Sequence, residues 1–186
     1  MILVTSAGGK TGRAMISTFA KSGEPVRAMM RRTDADEELH ALGATEIVHG
    51  DMADAAAFAA AAQGCRTIYY ICPNMTEQEK IFGDNAIAAA KSAGVERLVF
   101  HSVLHTQVQA LQHHWNRMFV EEAIVESGVP YSILQVGSYY QNMLPSWAKM
   151  KETGVHAMAY ETEAPMSLVD LGDVAEAALN IINDPG

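Results

Sequence analysis

The sequence has little of several residue types that mark particular classes of protein. Two cysteines, Cys65 and Cys72, are too few for the disulfide framework of a small secreted protein, and we expect both to be reduced. The formal net charge is -9, which gives no overall field to attract nucleic-acid phosphates. No apolar run approaches the ~20 residues of a membrane span, and the opening MILVTSAGG lacks the basic region of a signal peptide. We therefore expect a cytoplasmic protein that binds neither nucleic acid nor membranes.

Short apolar runs alternate with amphipathic segments along the whole chain. The runs predict strands at 1–5, 25–30, 45–48, 67–71, 97–101 and 131–135. The segments predict helices at 13–22, 34–42, after Asp54, and at 77–93, 109–127 and 169–182. Strands joined by helical crossovers form parallel sheets. We predict an α/β fold of the Rossmann type: one domain over 1–186 with a doubly wound parallel sheet, strand order 3-2-1-4-5-6, and helices on both faces.

A glycine-rich segment, TSAGGKTG at 5–12, lies between the first strand and the first helix. In that context Gly9 lets the backbone approach a pyrophosphate, Gly12 lets helix and strand pack closely, and the helix N-terminus offers amides to the anion. The alternative is a turn without a ligand. A P-loop is excluded, because that motif needs a glycine where Val4 stands.

The end of the second predicted strand indicates which dinucleotide would be held. NAD sites usually place a carboxylate there, whereas this chain has Arg31 and Arg32. A guanidinium makes charge-assisted hydrogen bonds to a 2′-phosphate, which favours NADP(H) over NAD(H). The alternative is a pair of surface arginines with no ligand.

Several segments together resemble one family. They are TSAGGKTG, the Arg31 position, GDMAD, YYICPN, HSVLH, HHWNRMFVEEAIVESGVPYSILQ and YYQN, and they span nearly the whole chain. The chain resembles the NmrA-like branch of the atypical short-chain dehydrogenases/reductases. This resemblance implies a fold that prefers NADP(H), in a family that includes quinone-type reductases and also redox sensors that regulate a protein partner.

The resemblance also implies roles for particular residues. The phosphates would be held by Ser6, Gly9, Lys10, Thr11 and Gly12, the 2′-phosphate by Arg31 with Arg32, and the adenine by Asp51 and Met52. The nicotinamide half would be flanked by Cys72, Pro73, Asn74, Ser102, Val103, Gly137 and Tyr139, which follow the fourth, fifth and sixth strands.

The chain departs from the family pattern at three places. Ser6 replaces the first glycine of the turn, and Arg117 stands where the HHW segment often carries lysine. Arg117 stays protonated, so it can orient a ligand but cannot exchange a proton. The sequence stops at Gly186, whereas relatives continue into a region that completes the substrate pocket. We expect that region to be short or missing, in a fragment or a shortened member.

Catalytic residues are harder to predict, because the chain has no Tyr-x-x-x-Lys pair. Hydride transfer belongs to the nicotinamide, so reduction of a quinone needs mainly positioning. We predict His114 as proton donor or substrate orienter, with Arg117 and Ser102 as further candidates. The alternative is that the HHW segment only packs and caps a helix. The histidine spacings match no zinc site, and we predict no metal.

Two functional hypotheses therefore stay open. The first is an NADPH-dependent oxidoreductase acting on a quinone or a small carbonyl compound. The second is a non-catalytic sensor that binds NADP(H) and regulates a protein partner. The sequence leaves the substrate and the oligomeric state undetermined.

Overall fold

Six parallel strands form the central sheet of the protein. The computed structural model describes residues 1–158, 161 and 163–184. The strands are β1 Ile2–Val4, β2 Val26–Met30, β3 Glu46–His49, β4 Thr67–Ile71, β5 Arg97–Val103 and β6 Tyr131–Val136. Their order is β3-β2-β1-β4-β5-β6, so the predicted Rossmann topology is confirmed. The central strands β1 and β4 are buried along their full length, as their uninterrupted apolar sequences require in a sheet covered on both faces.

Helices cover both faces of this sheet. They are α1 Lys10–Lys21, α2 Asp36–Ala41, α3 Ala55–Ala62, α4 Glu79–Ala93, α5 Gln112–Glu126, α6 Trp147–Thr153 and α7 Leu171–Asn183. One core joins the sheet to α1, α2 and α7, and a second core joins its other face to α3, α4 and α5. Asp54 and Asp170 begin α3 and α7, where each carboxylate accepts hydrogen bonds from amides of the first turn. Both starts agree with the sequence prediction.

The segment between β6 and α7 contains elements that the sequence pattern did not predict. Two short parallel strands, β7 Ser138–Tyr139 and β8 Leu168–Val169, pair with each other. Between them lie a 3-10 helix, Tyr140–Ser146, and α6. Two-residue strands are too short to show a hydrophobic period, which explains the omission. Gly137 makes the pairing possible, since a Cβ there would lie 2.7 Å from the Ser167 carbonyl oxygen.

In the part of the chain that the structure describes, no helix has the length and apolar character needed to cross a membrane.

Candidate functional site

The turn between β1 and α1 is held by side-chain hydrogen bonds to β4. Thr5 Oγ1 donates to the Ile71 carbonyl oxygen at 2.9 Å and accepts from the Ile71 amide at 2.8 Å. Ser6 has a left-handed backbone, with φ of 49°, a conformation that favours glycine. Its hydroxyl donates to the same carbonyl at 2.9 Å, so the side chain anchors the bend.

Gly12 and the first turn of α1 give this turn its capacity to bind an anion. A Cβ at Gly12 would lie 2.7–2.8 Å from backbone atoms of Ser6 and Ala7, so only glycine allows the helix to pack this closely. Gly9, the N-cap of α1, has no side chain that could cap the helix, and none of the described residues in its first turn is acidic. The helix therefore presents unsatisfied amides and the positive end of its dipole.

A cleft of about 450 Å³ opens beside this turn. It lies at the carboxyl ends of β1, β2, β3 and β4, where open α/β sheets bind ligands. The lining residues are Ser6, Gly8, Gly9, Arg13, Met29, Met30, Arg31, Arg32, Asp34, Ala35, Gly50, Asp51, Met52, Pro73 and Phe82. The cleft thus brings together seven of the residues predicted from the sequence: Ser6, Gly9, Arg31, Arg32, Asp51, Met52 and Pro73.

The arginines in the cleft are paired with carboxylates. Arg31 Nη1 lies 3.5 Å from Asp51 Oδ2, and both side chains are exposed. Arg32 Nε donates to Asp34 Oδ1 at 3.1 Å. An anion that enters the cleft must compete with Asp34 and Asp51 for these guanidinium groups. The predicted 2′-phosphate site therefore contains carboxylates as well as the two arginines.

Several cleft residues were not predicted from the sequence. Arg13 follows the last glycine of the turn, lines the cleft and pairs with Glu38 of α2 at 2.9 Å. Met29, Met30 and Gly50 lie at the ends of β2 and β3. The available signal was position, since each lies within two residues of a residue that was predicted.

A second group of predicted residues lies where β7 approaches α1. Lys10 Nζ donates to Asn142 Oδ1 and lies 5.6 Å from the ring centroid of Tyr139. Thr11 also interacts with the Tyr139 hydroxyl. Lys10, Thr11 and Tyr139 are therefore brought together, although the sequence analysis assigned them to different halves of a ligand.

His101 connects Tyr139 to the protein interior. Its Nε2 lies 2.5 Å from the Tyr139 hydroxyl, and its Nδ1 lies 2.7 Å from the hydroxyl of Tyr69. Burial lowers the pKa of His101 to about 3, with a further contribution from the charge of Arg117. The imidazole is therefore neutral at physiological pH. His101 was not among the site residues predicted from the sequence.

Arg117 lies in a buried ionic cluster behind the strand ends. Its Nε lies 2.8 Å from Glu79 Oε1, and its Nη1 and Nη2 donate to the carbonyl oxygens of His101 and Cys72 at 2.6 and 3.3 Å. His113 Nδ1 lies 3.8 Å from Glu79 Oε2. Burial raises the pKa of Glu79, and Arg117 partly offsets this increase. Through its hydrogen bonds to the two carbonyl oxygens, Arg117 orients the ends of β4 and β5 from the interior of the protein.

The other two predicted catalytic side chains also bond to the protein itself. Ser102 is fully buried, and its hydroxyl donates to Glu121 of α5 at 2.5 Å. His114 Nδ1 lies 2.8 Å from the Leu104 carbonyl oxygen, which requires a proton on Nδ1. Only His114 Nε2 is left to meet a ligand. The catalytic role of Ser102, His114 and Arg117 stays a prediction.

The remaining predicted residues border the strand ends. Cys72 is buried, and desolvation raises the pKa of its thiol to about 12. Asn74 is exposed, and Val103 is half-buried at the end of β5. Among the described residues, no cluster of three or more histidine, cysteine or acidic side chains is arranged to hold a metal ion.

The parallel sheet, the glycine turn and the cleft at the strand ends define a nucleotide-binding fold of the Rossmann class. The model of the NmrA-like family matches residues 1–186, and the chain belongs to that family. The resemblance drawn from the sequence segments is confirmed.

Several curated relatives match the whole chain. Quinone oxidoreductase 2 of Escherichia coli (strain K12) is 29% identical over 188 residues, covering 100% of this chain and 65% of that protein. A (4-alkanoyl-5-oxo-2,5-dihydrofuran-3-yl)methyl phosphate reductase of Streptomyces griseus is 33% identical over 190 residues, covering 100% of this chain and 64% of the relative. The chain thus spans less than two thirds of the length of these relatives.

Solved structures share the fold. The NADPH complex of a quinone oxidoreductase from Escherichia coli has a TM-score of 0.85 and 29% identity, covering 100% of this chain and 66% of that chain. An anaerobillin reductase from Escherichia coli O157:H7 has a TM-score of 0.75 and 21% identity, covering 100% and 91%. The second likeness shows the fold alone.

Proposed function

We propose that this chain binds NADP(H) in the cleft and forms the cofactor-binding part of an NADPH-dependent oxidoreductase that acts on a quinone or a small carbonyl compound. The observation that carries the proposal is the continuity of the cleft. It runs from the uncapped N-terminus of α1 to Arg31 and Arg32 at the end of β2. A dinucleotide has its pyrophosphate and its 2′-phosphate in this arrangement.

The residues present fit such a cofactor. Gly8 and Gly9 line the cleft and place no side chain in it, which leaves the turn open to a pyrophosphate. Met29, Met30 and Phe82 supply apolar surface for an adenine ring. When bound, the nicotinamide would supply the hydride, while the protein binds, orients and shields it.

The comparisons support the reaction class. The E. coli relative is named a quinone oxidoreductase, the S. griseus relative a reductase, and a structure of the former is described as an NADPH complex. Both relatives are longer than this chain, so the identity of the substrate and the extent of its pocket are part of the proposal.

A titration with NADPH and NADH tests the cofactor assignment. Arg31→Ala should weaken NADPH binding by about 10- to 100-fold, since a hydrogen bond to a charged group contributes about 1.5–3 kcal/mol. NADH, which has no 2′-phosphate, should lose less than about threefold. Asp34→Ala should strengthen NADPH binding, because the carboxylate that competes for Arg32 is removed.

Lys21→Ala is the matched control, because Lys21 is exposed at the opposite end of α1. Its removal changes the net charge as Arg31→Ala does, so a specific site leaves NADPH binding to this variant unchanged. Equal losses in both variants would show a general charge effect. A wild-type chain that binds neither nucleotide would overturn the proposal.

A regulatory sensor is the second candidate. It is favoured by one observation: Ser102 and Arg117 are buried and direct their polar groups at the protein. A sensor predicts NADPH binding without NADPH oxidation when a quinone is added. The same sample serves for this assay, so one experiment separates the two functions.

A further inference from the structure

Three side chains that are distant in sequence form a buried hydrogen-bonded row. Tyr69 of β4 and His101 of β5 lie on one face of the central sheet, and Tyr139 of β7 contacts His101 there. The Tyr69 and Tyr139 hydroxyls lie 2.7 Å and 2.5 Å from the two nitrogens of the imidazole. Tyr69 is fully buried, His101 is nearly so, and Tyr139 is partly exposed. The row therefore leads from the core to the surface.

The row has a definite polarity. A neutral imidazole has one N–H donor and one acceptor nitrogen. Among the described residues, His101 is the single hydrogen-bond partner of the Tyr69 hydroxyl. A buried hydroxyl proton left without an acceptor costs about 1–3 kcal/mol, so Tyr69 donates to Nδ1. His101 must then carry its proton on Nε2 and donate it to the Tyr139 oxygen.

The polarity of the row determines where the hydroxyl proton of Tyr139 points. Because its oxygen accepts from His101, its own O–H proton points away from the core. The Tyr139 ring lies beside the first turn of α1, where Lys10 Nζ is 5.6 Å from the ring centroid and Thr11 interacts with the hydroxyl. A phenolate at this place would be stabilised by the His101 N–H, the Lys10 ammonium and the positive end of the helix dipole.

We propose that Tyr139 is the proton donor of the reduction, oriented by His101 and Tyr69, and that it takes the place of the missing Tyr-x-x-x-Lys pair. This inference rests on the proposed function. A reduced nicotinamide bound in the site would supply hydride to the substrate, and negative charge would then develop on a carbonyl or quinone oxygen. The Tyr139 O–H bond breaks as the substrate O–H bond forms. Water then returns a proton to the phenolate.

The protonation state of the free protein agrees with this role. Burial raises the pKa of Tyr139, while the Thr11 hydrogen bond and the charge of Arg117 lower it in part. The phenol therefore holds its proton at neutral pH until charge develops on the substrate. Tyr139 is the catalytic residue, and His101 and Tyr69 are positioning residues.

Nitrogen NMR of the histidine-labelled chain, without cofactor, tests the polarity. His101→Gln assigns the signals. We expect a neutral His101 protonated on Nε2, and loss of that strict preference in Tyr69→Phe. Tyr131→Phe is the matched control, because this tyrosine is exposed at the start of β6. A proton on Nδ1, or a charged ring at neutral pH, would overturn the inference.

NADPH oxidation with a quinone or a small aldehyde tests the donor role. Tyr139→Phe should lower kcat by about 100-fold or more, as removal of a general acid typically does. The Kd for NADPH should change less than about threefold. In His101→Gln, carbon NMR of labelled tyrosine should show a raised pKa of Tyr139, which a merely structural role for His101 would leave unchanged.

Three results would overturn either this inference or the proposed function on which it rests. Unchanged turnover in Tyr139→Phe would refute the donor role and leave the cofactor site intact. A wild-type chain that binds NADPH but reduces neither acceptor would also refute it. Failure of the wild-type chain to bind NADPH would instead overturn the proposed function, while the tautomer of His101 would still be measured independently.

Discussion

Replacement of Arg117 by methionine should destabilise the protein in a pH-dependent way. The guanidinium is 4% exposed and compensates the carboxylate of Glu79, which is fully buried. Removing one partner of a buried ion pair typically costs about 3–5 kcal/mol, because the other charge is left without compensation. Single domains have about 5–15 kcal/mol of stability, so we expect the variant to fold with a reduced margin.

The pH dependence follows from the direction of three pKa shifts. Arg117 lowers the pKa of Glu79, His101 and His113. Without it, each of these groups binds a proton more readily in the folded state, while the unfolded state is unchanged. Glu79 then has a folded pKa raised further above its unfolded value. The contribution of Glu79 protonation to the free energy of unfolding is complete below the pKa of Glu79 in the unfolded chain. It is lost as the pH rises through the pKa of Glu79 in the folded chain.

The two buried histidines of the wild-type chain should respond to acid in the opposite way to Glu79. Burial lowers the pKa of His101 to about 3 and that of His113 to about 4. Both histidines accept protons at about pH 6.5 in the unfolded chain, so wild-type stability falls as the pH decreases below that value. Because the folded Arg117→Met variant binds protons more readily than the folded wild type, the difference between their free energies of unfolding should shrink between pH 7 and pH 5. The change is at most ~1.4 kcal/mol per pH unit for each proton involved.

Urea unfolding followed by circular dichroism at several pH values measures this difference. Lys80→Met is the matched control, because Lys80 follows Glu79 in α4 and makes an exposed i,i+4 pair with Asp84. That exposed pair contributes about 0.3–0.5 kcal/mol. The reasoning would be refuted if Arg117→Met lowered the free energy of unfolding by less than about 1 kcal/mol, or if the loss stayed constant from pH 7 to pH 5.

Three further predictions concern the turn, the thiols and a helix cap. Gly12→Ala should lower stability by about 1–3 kcal/mol in urea unfolding, because the added methyl group meets backbone at 2.7 Å. Gly9→Ala, whose Cβ lies 3.3 Å from its nearest neighbour, should cost less than about 1 kcal/mol; equal losses would contradict this. Cys65 and Cys72 are buried with raised pKa values, so a thiol reagent should modify neither within minutes until the chain is unfolded. Asp54→Ala should cost about 1 kcal/mol by removing the cap of α3, and an unchanged unfolding midpoint would argue against that cap.

Much of the fold and one half of the site could be predicted because the signals are local. The glycine turn and the arginines after β2 are contiguous in sequence with the strands that place them. The cleft brings Gly9, Arg31 and Asp51 together as expected. What could not be predicted is that Arg31 would pair with Asp51, since this pairing depends on how the loops after β2 and β3 lie relative to each other.

The other half of the site depends on the register of the sheet. Residues 69 and 101 are 32 positions apart, and Tyr139 is a further 38 positions from His101. In the ladder of β4 and β5, His101 pairs with Ile71, which places it on the same face as Tyr69. A shift of one residue would turn His101 to the other face and remove the row.

The sequence by itself determined the alternation of strands and helices along the chain, the helix starts at Asp54 and Asp170 and the glycine turn, because hydrophobic period, capping and glycine sterics act over a few residues. Only the tertiary structure decided the burial of Arg117 and the environment of His101. Their partners come from other strands and helices, and desolvation, which dominates their electrostatics, exists only when those elements pack.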